Sequence, residues 1–260
     1  MTANNDAVEA FIRARDNRPR WRGVPPELRP RTLEEGYRLQ KAVYARLEAL
    51  GVKRAGYKVA AAAQAGQRFF GLHEPAYAGI FENTRMESLN DILAARLIEP
   101  ALECEVAVVL GSDIDGANGQ IEPERVAAGI AACHIACEII DDRYGDPLAA
   151  GVPSLLVDDF FNAGFIIGPE NPRWRTLDLA HLDGSIRIDD LVARGNSADI
   201  LDAVTSVRWL AGKLAEVGTR LRAGEVILTG SLVTPMKLGA EPRAASLAIE
   251  GFEPLDLKRA

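Results

Sequence analysis

Two glutamates in one strand-like segment are the first residues whose types and spacing suggest chemistry. Glu103 and Glu105 lie within residues 97–110, the most strand-like stretch of the chain. Side chains alternate across a strand, so residues two apart share a face, roughly 7 Å apart along it. That face continues into Ala107 and Val109, and two like charges on it repel each other unless a cation lies between them. The pattern is compatible with a cation site or with an ordinary solvated strand face.

A third carboxylate, Glu138, lies in the apolar run of residues 135–140, where an unpaired carboxylate is costly to bury. Together with Glu103 and Glu105 it would form an all-oxygen site, and hard divalent ions such as Mg²⁺ and Mn²⁺ prefer that ligand set. The alternative for Glu138 is an ion pair with Arg143 or another cation. The three carboxylates therefore form a candidate metal site.

Lys58 is a candidate acid–base group in the short apolar segment 57–61. Near a metal, a partly buried ammonium is disfavoured by desolvation and by repulsion from the cation, so such a lysine can exchange a proton with a substrate. Taken alone, a lysine such as Lys58 is more often a surface lysine on a strand, because its spacing adds no independent signal.

Other catalytic and binding motifs have little support. Cys133, His134 and Cys137 are expected within one helical turn, but adjacent residues point to different sides of a helix and no second ligand pair completes a zinc site. The sequence has no Gly-x-Ser-x-Gly elbow, no Gly-x-Gly-x-x-Gly fingerprint and no phosphate-binding loop. Zinc, serine-hydrolase and nucleotide chemistry are therefore disfavoured.

The composition of the chain limits its partners. It has 260 residues, 48% of them hydrophobic, with 37 acidic against 30 basic side chains and a net charge of −7. That balance argues against nucleic acid, whose phosphates need a basic surface. The chain has three cysteines, no basic-then-apolar leader and no apolar run of about 18 residues, which argues against a disulfide scaffold, a secretory signal and a membrane span. We expect a cytoplasmic protein with no nucleic-acid or membrane partner.

The elements that position these residues follow from the pattern of apolar side chains. Thr32 and Glu35 predict a capping box at the start of a helix of about 18 residues, which ends before Gly51. An Ala-rich helix is predicted from Pro123 to about Ala136. Residues 66–81 are predicted to be turns with one short helical piece. Further helices are predicted over residues 6–14 and 199–217, and strands over residues 57–61, 97–110, 138–140, 164–168, 185–188 and 225–229. Strands with few helices and no regular βαβ alternation predict an α+β fold with a curled mixed sheet.

Short motifs in a fixed order give the chain a family resemblance. They are Gly56-Tyr57-Lys58; Gln67, Gly71, Pro75 and Gly79; Glu103-x-Glu105; Glu138-Ile139-Ile140-Asp141-x-Arg143; Asp159, Gly164 and Gly168; Arg208-Trp209-Leu210-Ala211; and Leu221 to Leu232 with its Thr229-Gly230-Ser231. The ordered set resembles the 2-keto-4-pentenoate hydratase and 2-oxo-3-hexenedioate decarboxylase group of the fumarylacetoacetate hydrolase superfamily. Each motif alone is weak evidence, whereas their order over most of the chain is specific.

The resemblance implies an α+β fold, a curled mixed β-sandwich of the fumarylacetoacetate hydrolase C-terminal type with a helical N-terminal portion. Residues 1–55 would form the helical portion and residues 56–260 the mixed-β catalytic domain, together one globular unit. It also implies that Mg²⁺ or Mn²⁺ is held by Glu103, Glu105 and Glu138, and that Lys58 moves the proton of an enol–keto step. The implied substrate-binding residues are Arg143, Asp159, Thr229, Gly230 and Ser231.

The implied activity is that of a metal-dependent lyase that hydrates a 2-hydroxy-2,4-dienoate in aromatic catabolism. One alternative is a decarboxylase that acts on a 2-oxo-3-hexenedioate through the same enolate. Another is a non-catalytic partner subunit on the same fold. The expected ligand is a small anionic 2-oxo acid, and the expected assembly is a homo-oligomer or a hydratase–decarboxylase pair.

Three segments depart from the usual pattern of that family, one of them in the tail, where Leu238-Gly239-Ala240-Glu241-Pro242 replaces the usual Gly-Asp turn. The lysine is followed by Ala60-Ala61-Ala62-Ala63, where the family usually has a polar stretch. Phe160 and Phe161 stand where it tends toward Asn and Ala. The metal and enolisation chemistry is retained in this pattern, and the identity of the substrate is left open.

Overall fold

The computed structural model describes residues 3–16, 24–116 and 121–259 of the chain. The helices of this part are α1 (Ala3–Asp16), α2 (Leu33–Ala49), α3 (Gln64–Phe70), α4 (Leu89–Ala94), α5 (Pro123–Gly129), α6 (Pro147–Ala150), α7 (Val152–Val157) and α8 (Ala203–Glu216). The strands are β1 (Arg54–Ala60), β2 (Ala76–Phe81), β3 (Pro100–Leu110), β4 (Ile130–Asp141), β5 (Asn162–Glu170), β6 (Asp183–Ile188), β7 (Leu191–Asn196), β8 (Val226–Ser231), β9 (Met236–Lys237), β10 (Ala244–Ile249) and β11 (Leu255–Lys258). Among the described residues, no helix combines the length and apolar character that a membrane crossing requires.

Two sheets form the body of the molecule. The larger has the strand order β2-β1-β8-β3-β4-β5, with β9 beside β3, and the smaller has the order β11-β10-β6-β7. All pairings are antiparallel except that of β1 with β8. Leu102 and Cys104 of β3 share one buried cluster with Ile186 of β6 and Leu247 of β10. The sheets therefore pack face to face, and the predicted mixed β-sandwich with a helical N-terminal portion is confirmed.

The N-terminal helices pack on the larger sheet. Phe11 of α1 and Val43 and Tyr44 of α2 share a buried cluster with Phe81 of β2. The side chain of Thr32 accepts a hydrogen bond from the Glu35 N–H at 3.2 Å, as predicted. The Glu35 carboxylate, however, accepts from the N–H of Arg31 and not from that of Thr32, so half of the predicted capping box is present. The division of the chain at residue 55 stays a prediction.

The Ala-rich helix that begins at Pro123 is shorter than predicted. It ends at Gly129, and β4 takes over at Ile130. In this strand Cys133, Ile135 and Cys137 are buried at every second position and pack into the sandwich, so the burial of alternate side chains outweighs the helix propensity of the intervening alanines. The predicted helical turn that would group the two cysteines with His134 is therefore wrong.

A buried strand occupies part of the segment that was predicted to be turns. All six residues of β2 are buried, and Gly79 lets the ring of Tyr44 approach the strand, since a Cβ there would lie 3.0 Å from that ring. The short strands β7, β9, β10 and β11 are also absent from the prediction. β9 has only two residues and β7 has no buried residue, so neither shows the alternation of buried and exposed side chains that predicts a strand.

Candidate metal centre and acid–base site

The pairing of β3 with β4 brings the three glutamates together. Glu103 lies directly opposite Glu138 in the register, and Glu105 is two residues further along the same face of β3. One carboxylate oxygen from each residue lies within 4.8 Å of those of the other two. Glu105 and Glu138 are fully buried, whereas Glu103 is partly exposed. Two carboxylates of the cluster are therefore enclosed by protein, and the third is partly accessible to solvent.

The hydrogen bonds of the cluster leave some of its oxygens available. Glu105 Oε2 accepts from the Gly230 N–H at 2.7 Å, and Glu138 Oε1 accepts from Asn162 Nδ2 at 3.0 Å. Glu105 Oε1 and Glu138 Oε2 have no hydrogen-bond partner among the described residues. Buried carboxylate oxygens without partners are costly, and a divalent cation would satisfy them with the oxygen ligands that it prefers. The donor set therefore fits a divalent metal ion.

The protonation of the cluster reflects burial and mutual repulsion. Burial, followed by the negative charge of Glu138, raises the pKa of Glu103 to about 8. Burial and the charges of the other two glutamates also raise the pKa of Glu105 well above its ordinary value. The opposing effect of Lys58 is smaller in both cases. Without a cation, the protein therefore favours a partly protonated cluster.

Lys58 reaches the cluster from β1. It is only 3% exposed, and its Nζ lies 2.8 Å from Glu138 Oε1 and 5.7 Å from the centre of the Phe160 ring. Burial alone would lower the pKa of this ammonium, but the negative charge of the three glutamates outweighs burial and raises it. The interpretation as a surface lysine is wrong, and the predicted ion pair of Glu138 is made by Lys58 and not by Arg143.

The end of β8 closes another side of the cluster. Gly230 has φ of 109°, and a Cβ at this position would lie 2.3 Å from the Cβ of Ala62, so a side chain there would be strained. The Thr229 hydroxyl donates to the carbonyl of Val106 at 2.8 Å, and the Ser231 hydroxyl donates to the carbonyl of Val233 at 2.7 Å. The backbone N–H of Gly230 donates to the Glu105 carboxylate at 2.7 Å, and Ser231 lies opposite Glu105 in the strand register.

Arg143 forms a separate buried pair with Asp158. Its Nε donates to Asp158 Oδ2 at 2.7 Å, and its Nη2 donates to the carbonyl oxygen of Asp158 at 2.8 Å. The Tyr144 hydroxyl also donates to Asp158 Oδ2. The charge of Arg143 is thus offset within this group and not by Glu138.

Asp159 is held by the N-terminal helices. Both terminal nitrogens of Arg15 donate to its carboxylate, and the Tyr44 hydroxyl donates to its Oδ1 at 2.8 Å. Tyr44 in turn accepts from the N–H of Gly79 at 2.7 Å. The Asp159 carboxylate is therefore bonded to the N-terminal helices. It is the ring of the neighbouring Phe160 that lies near Lys58.

Four residues of this region carry no role in the sequence interpretation: Arg15, Tyr44, Asp158 and Asn162. Asn162 stands between Asp159 and Gly164, two residues of the motifs, so its amide could have been singled out as a nearby polar group. Arg15 carries no such signal, because 144 residues separate it from Asp159.

Comparison with known proteins finds hydratases and a decarboxylase among the relatives of the chain. No protein-family model matches it. It is 28% identical to a 2-keto-4-pentenoate hydratase of Burkholderia vietnamiensis over 184 residues, 70% of this chain and 69% of the relative. It is 27% identical to a 2-oxo-hept-4-ene-1,7-dioate hydratase of Escherichia coli over 237 residues, 88% of each, and 26% identical to a 4-oxalocrotonate decarboxylase of a Pseudomonas species over 213 residues, 80% and 79%.

Solved structures share the fold. A 4-oxalocrotonate decarboxylase from Pseudomonas putida G7, complexed with magnesium and adipate, matches with a TM-score of 0.81 at 22% identity over 99% of this chain and 98% of that one. A fumarylpyruvate hydrolase from Pseudomonas aeruginosa, in complex with Mn²⁺ and pyruvate, matches with a TM-score of 0.59 at 16% identity over 80% and 89%. The chain is therefore similar in sequence to 2-keto-4-pentenoate hydratases and to a 4-oxalocrotonate decarboxylase, and it shares the fold of these solved structures.

Proposed function

We propose that this protein is a Mg²⁺- or Mn²⁺-dependent lyase that hydrates a 2-hydroxy-2,4-dienoate. Its sequence relatives are hydratases and a decarboxylase, so it is an enzyme of the lyase type. The observation that carries the proposal is the buried cluster of three glutamate carboxylates within 4.8 Å of one another, with the ammonium of Lys58 2.8 Å from one of them.

Glu103, Glu105 and Glu138 would hold the ion. A divalent ion bound there would supply Lewis acidity to the oxygen of a 2-oxo acid on which negative charge develops during enolisation. The Gly230 N–H and the Asn162 amide orient two of the carboxylates through hydrogen bonds of 2.7 and 3.0 Å. Supporting hydrogen bonds of this kind keep metal-binding side chains in position.

Lys58 would carry the proton of the enol–keto step. Its Nζ would deliver a proton to the remote carbon of the dienol while the proton of the 2-hydroxyl leaves, which gives a conjugated 2-oxo acid. Water then adds across the remaining carbon–carbon double bond, and no oxidant or reductant is consumed. Because Lys58 is 3% exposed, its proton exchanges with a bound substrate in preference to bulk water.

The remaining predicted residues would form the substrate pocket around this centre. The Gly230 N–H would hold Glu105 in place, so that the end of β8 lies beside the carboxylate end of the substrate. Arg143 and Asp159 would shape the pocket through the residues to which they are bonded. Thr229 and Ser231 would support the end of β8 through their bonds to β3 and to the following loop.

A decarboxylase acting on a 2-oxo-enedioate is the second candidate. It is favoured by the 26% identity to a 4-oxalocrotonate decarboxylase. Loss of CO₂ beside an unsaturated 2-oxo acid needs the same electron acceptor as enolisation, so the same residues would serve it.

Substrate conversion in the presence and absence of metal tests the proposal. Purified protein with Mg²⁺ or Mn²⁺, or with a chelator, is offered a 2-hydroxydienoate and a 2-oxo-enedioate, and ultraviolet absorbance and CO₂ release are followed. We expect metal-dependent loss of the dienoate absorbance without CO₂ release, abolished in Glu105→Gln and retained in the exposed control Glu124→Gln. Conversion with CO₂ release would favour the decarboxylase. No conversion of either acid and no metal binding would point to a non-catalytic subunit.

A further inference from the structure

The end of β8 departs from regular strand pairing where it passes the cluster of three glutamates. Its register with β1 ends at Leu228. From Leu228 to Ser231, β8 advances by three residues while its other partner, β3, advances by two. This irregularity is a β-bulge, and bulges often redirect a backbone group or side chain beside a functional site. The bulge therefore sets the direction of the peptide group between Thr229 and Gly230.

This peptide group is hydrogen-bonded at both of its ends. Its N–H, that of Gly230, donates to Glu105 Oε2 at 2.7 Å. Its carbonyl oxygen, that of Thr229, accepts from the Ser206 hydroxyl at 3.0 Å. A hydrogen bond to the carbonyl polarises the peptide group and strengthens its N–H as a donor. Because the peptide group is planar, the Ser206 hydroxyl and the Glu105 carboxylate are linked through one rigid unit.

The first turn of α8 holds Ser206 in this position. The residue is fully buried, and its N–H donates to the carbonyl oxygen of Asp202, the N-cap residue of the helix, at 2.8 Å. The carbonyl oxygen of Leu201 lies 3.2 Å from the Ser206 hydroxyl. A hydroxyl has one proton to donate, and the bond to Thr229 is the shorter of the two at 3.0 Å. The geometry therefore favours donation to the end of β8.

The two fully buried glutamates of the cluster share one pattern of bonding. Glu105 has one oxygen bonded to the Gly230 N–H. Glu138 has one oxygen bonded to the Asn162 amide and to the Lys58 ammonium. The second oxygen of each glutamate has no hydrogen-bond partner in the described part of the chain, so each carboxylate offers one oxygen to a cation. Mg²⁺ requires an octahedral set of ligands at short distances, whereas Ca²⁺ takes more oxygens and often both oxygens of one carboxylate.

We propose that Ser206 is a positioning residue for the metal site and that it contributes to discrimination between Mg²⁺ and Ca²⁺. By orienting the peptide group between Thr229 and Gly230, it keeps Oε2 of Glu105 bonded and Oε1 free. Without the Ser206 hydroxyl, this peptide group can turn and release Oε2, so that the carboxylate offers both oxygens. Mg²⁺ would then lose a pre-oriented ligand, whereas Ca²⁺ would gain an oxygen in partial compensation. The inference rests on the proposed function, since it requires the three glutamates to bind a divalent ion.

Calorimetric titration of Mg²⁺ and of Ca²⁺ into wild type and variants tests the inference without turnover. For Ser206→Ala we expect Kd for Mg²⁺ to rise by about tenfold, as the loss of a supporting hydrogen bond at a metal site commonly causes. Kd for Ca²⁺ should rise by less, so that the ratio of the two constants changes. The control Thr205→Val removes the neighbouring hydroxyl of α8, which is bonded to the Asp202 carboxylate, and should leave both constants unchanged.

A second variant keeps the test decisive if Ser206→Ala does not fold. Ser206→Cys is nearly isosteric and retains a weak donor, so it should shift the ratio in the same direction by a smaller amount. An unchanged Kd for Mg²⁺, an equal rise for both ions or an equal effect of Thr205→Val overturns the inference, because a purely structural loss affects both ions alike. In each of these cases, Mg²⁺-dependent conversion of a 2-hydroxydienoate by wild type leaves the proposed function intact. Failure of wild type to bind either ion and to convert a 2-hydroxydienoate or a 2-oxo-enedioate would overturn that function instead.

Discussion

The substitution Glu105→Gln should stabilise the metal-free protein and abolish its stabilisation by metal. Glu105 is fully buried, and its carboxylate lies within 4.8 Å of those of Glu103 and Glu138. Glutamine is nearly isosteric, so its carbonyl oxygen can still accept from the Gly230 N–H. Its amide nitrogen would occupy the position of the unpartnered oxygen and could donate to a neighbouring carboxylate. The change thus removes repulsion without removing the existing hydrogen bond.

The magnitude follows from the separation of the charges. Two unit charges 4.8 Å apart repel each other by about 3 kcal/mol at an effective dielectric constant of about 20. Partial protonation of the cluster and the ammonium of Lys58 reduce this value, so we expect a gain of about 1–2 kcal/mol, or a few degrees in melting temperature. At a metal concentration about 100 times Kd, wild type should gain about 2.7 kcal/mol from binding, and the variant should gain little.

Thermal unfolding with a chelator and with Mg²⁺ or Mn²⁺ measures both effects. We expect the variant to be more stable than wild type in the chelator and less stable in the metal, so that the order of melting temperatures is inverted. The control Glu124→Gln, exposed on α5, should change neither value. A variant that is less stable in the chelator, or that gains as much from the metal as wild type, would refute the assignment of Glu105 to the metal site.

Three further outcomes are expected. Lys58→Met should retain metal binding but slow proton exchange at the substrate carbon by about 100-fold or more, measured by deuterium incorporation from solvent; an unchanged rate would exclude Lys58 from the proton transfer. Because the pKa of Glu103 rises from 4.5 to about 8 on folding, the metal-free protein should lose stability as pH is raised from about 4.5 to about 8, and melting temperatures that are flat across this window would contradict the raised pKa. Tyr44→Phe should destabilise the protein by about 1–3 kcal/mol, because it leaves the buried Gly79 N–H without its acceptor and Asp159 with one donor fewer. Denaturant unfolding measures this loss, and a change below a few tenths of a kcal/mol would show that water or another group replaces the hydroxyl.

The candidate site could be predicted in part from local spacing. The alternation of strand side chains is sufficient to place Glu103 and Glu105 on one face, and the apolar neighbours of Glu138 indicate that its carboxylate needs a partner. The order of the motifs along the chain then identifies Lys58 and the end of β8 as parts of the same site. None of these signals contains the strand register, which places Glu138 directly opposite Glu103.

The strand that carries Glu138 shows why local propensity was insufficient. Its alanines favour a helix through residue 136, but the alternate residues Cys133, Ile135 and Cys137 bury themselves between two sheets. These side chains are buried because β3 and β5 lie on either side of β4 and pair with it along most of its length. Tertiary packing therefore decided between helix and strand.

The sequence by itself determined which residues are chemically capable of acting at this site: three carboxylates, one lysine and a glycine at the end of β8. It did so because residue type and local spacing are properties of the chain alone. Only the tertiary structure decided which counter-charge each group has. Lys58 pairs with Glu138, 80 residues away in the chain, and Arg15 pairs with Asp159 across 144 residues. These pairings follow from the packing of β1 and α1 against distant elements, and long-range packing of this kind leaves no local signature in the sequence.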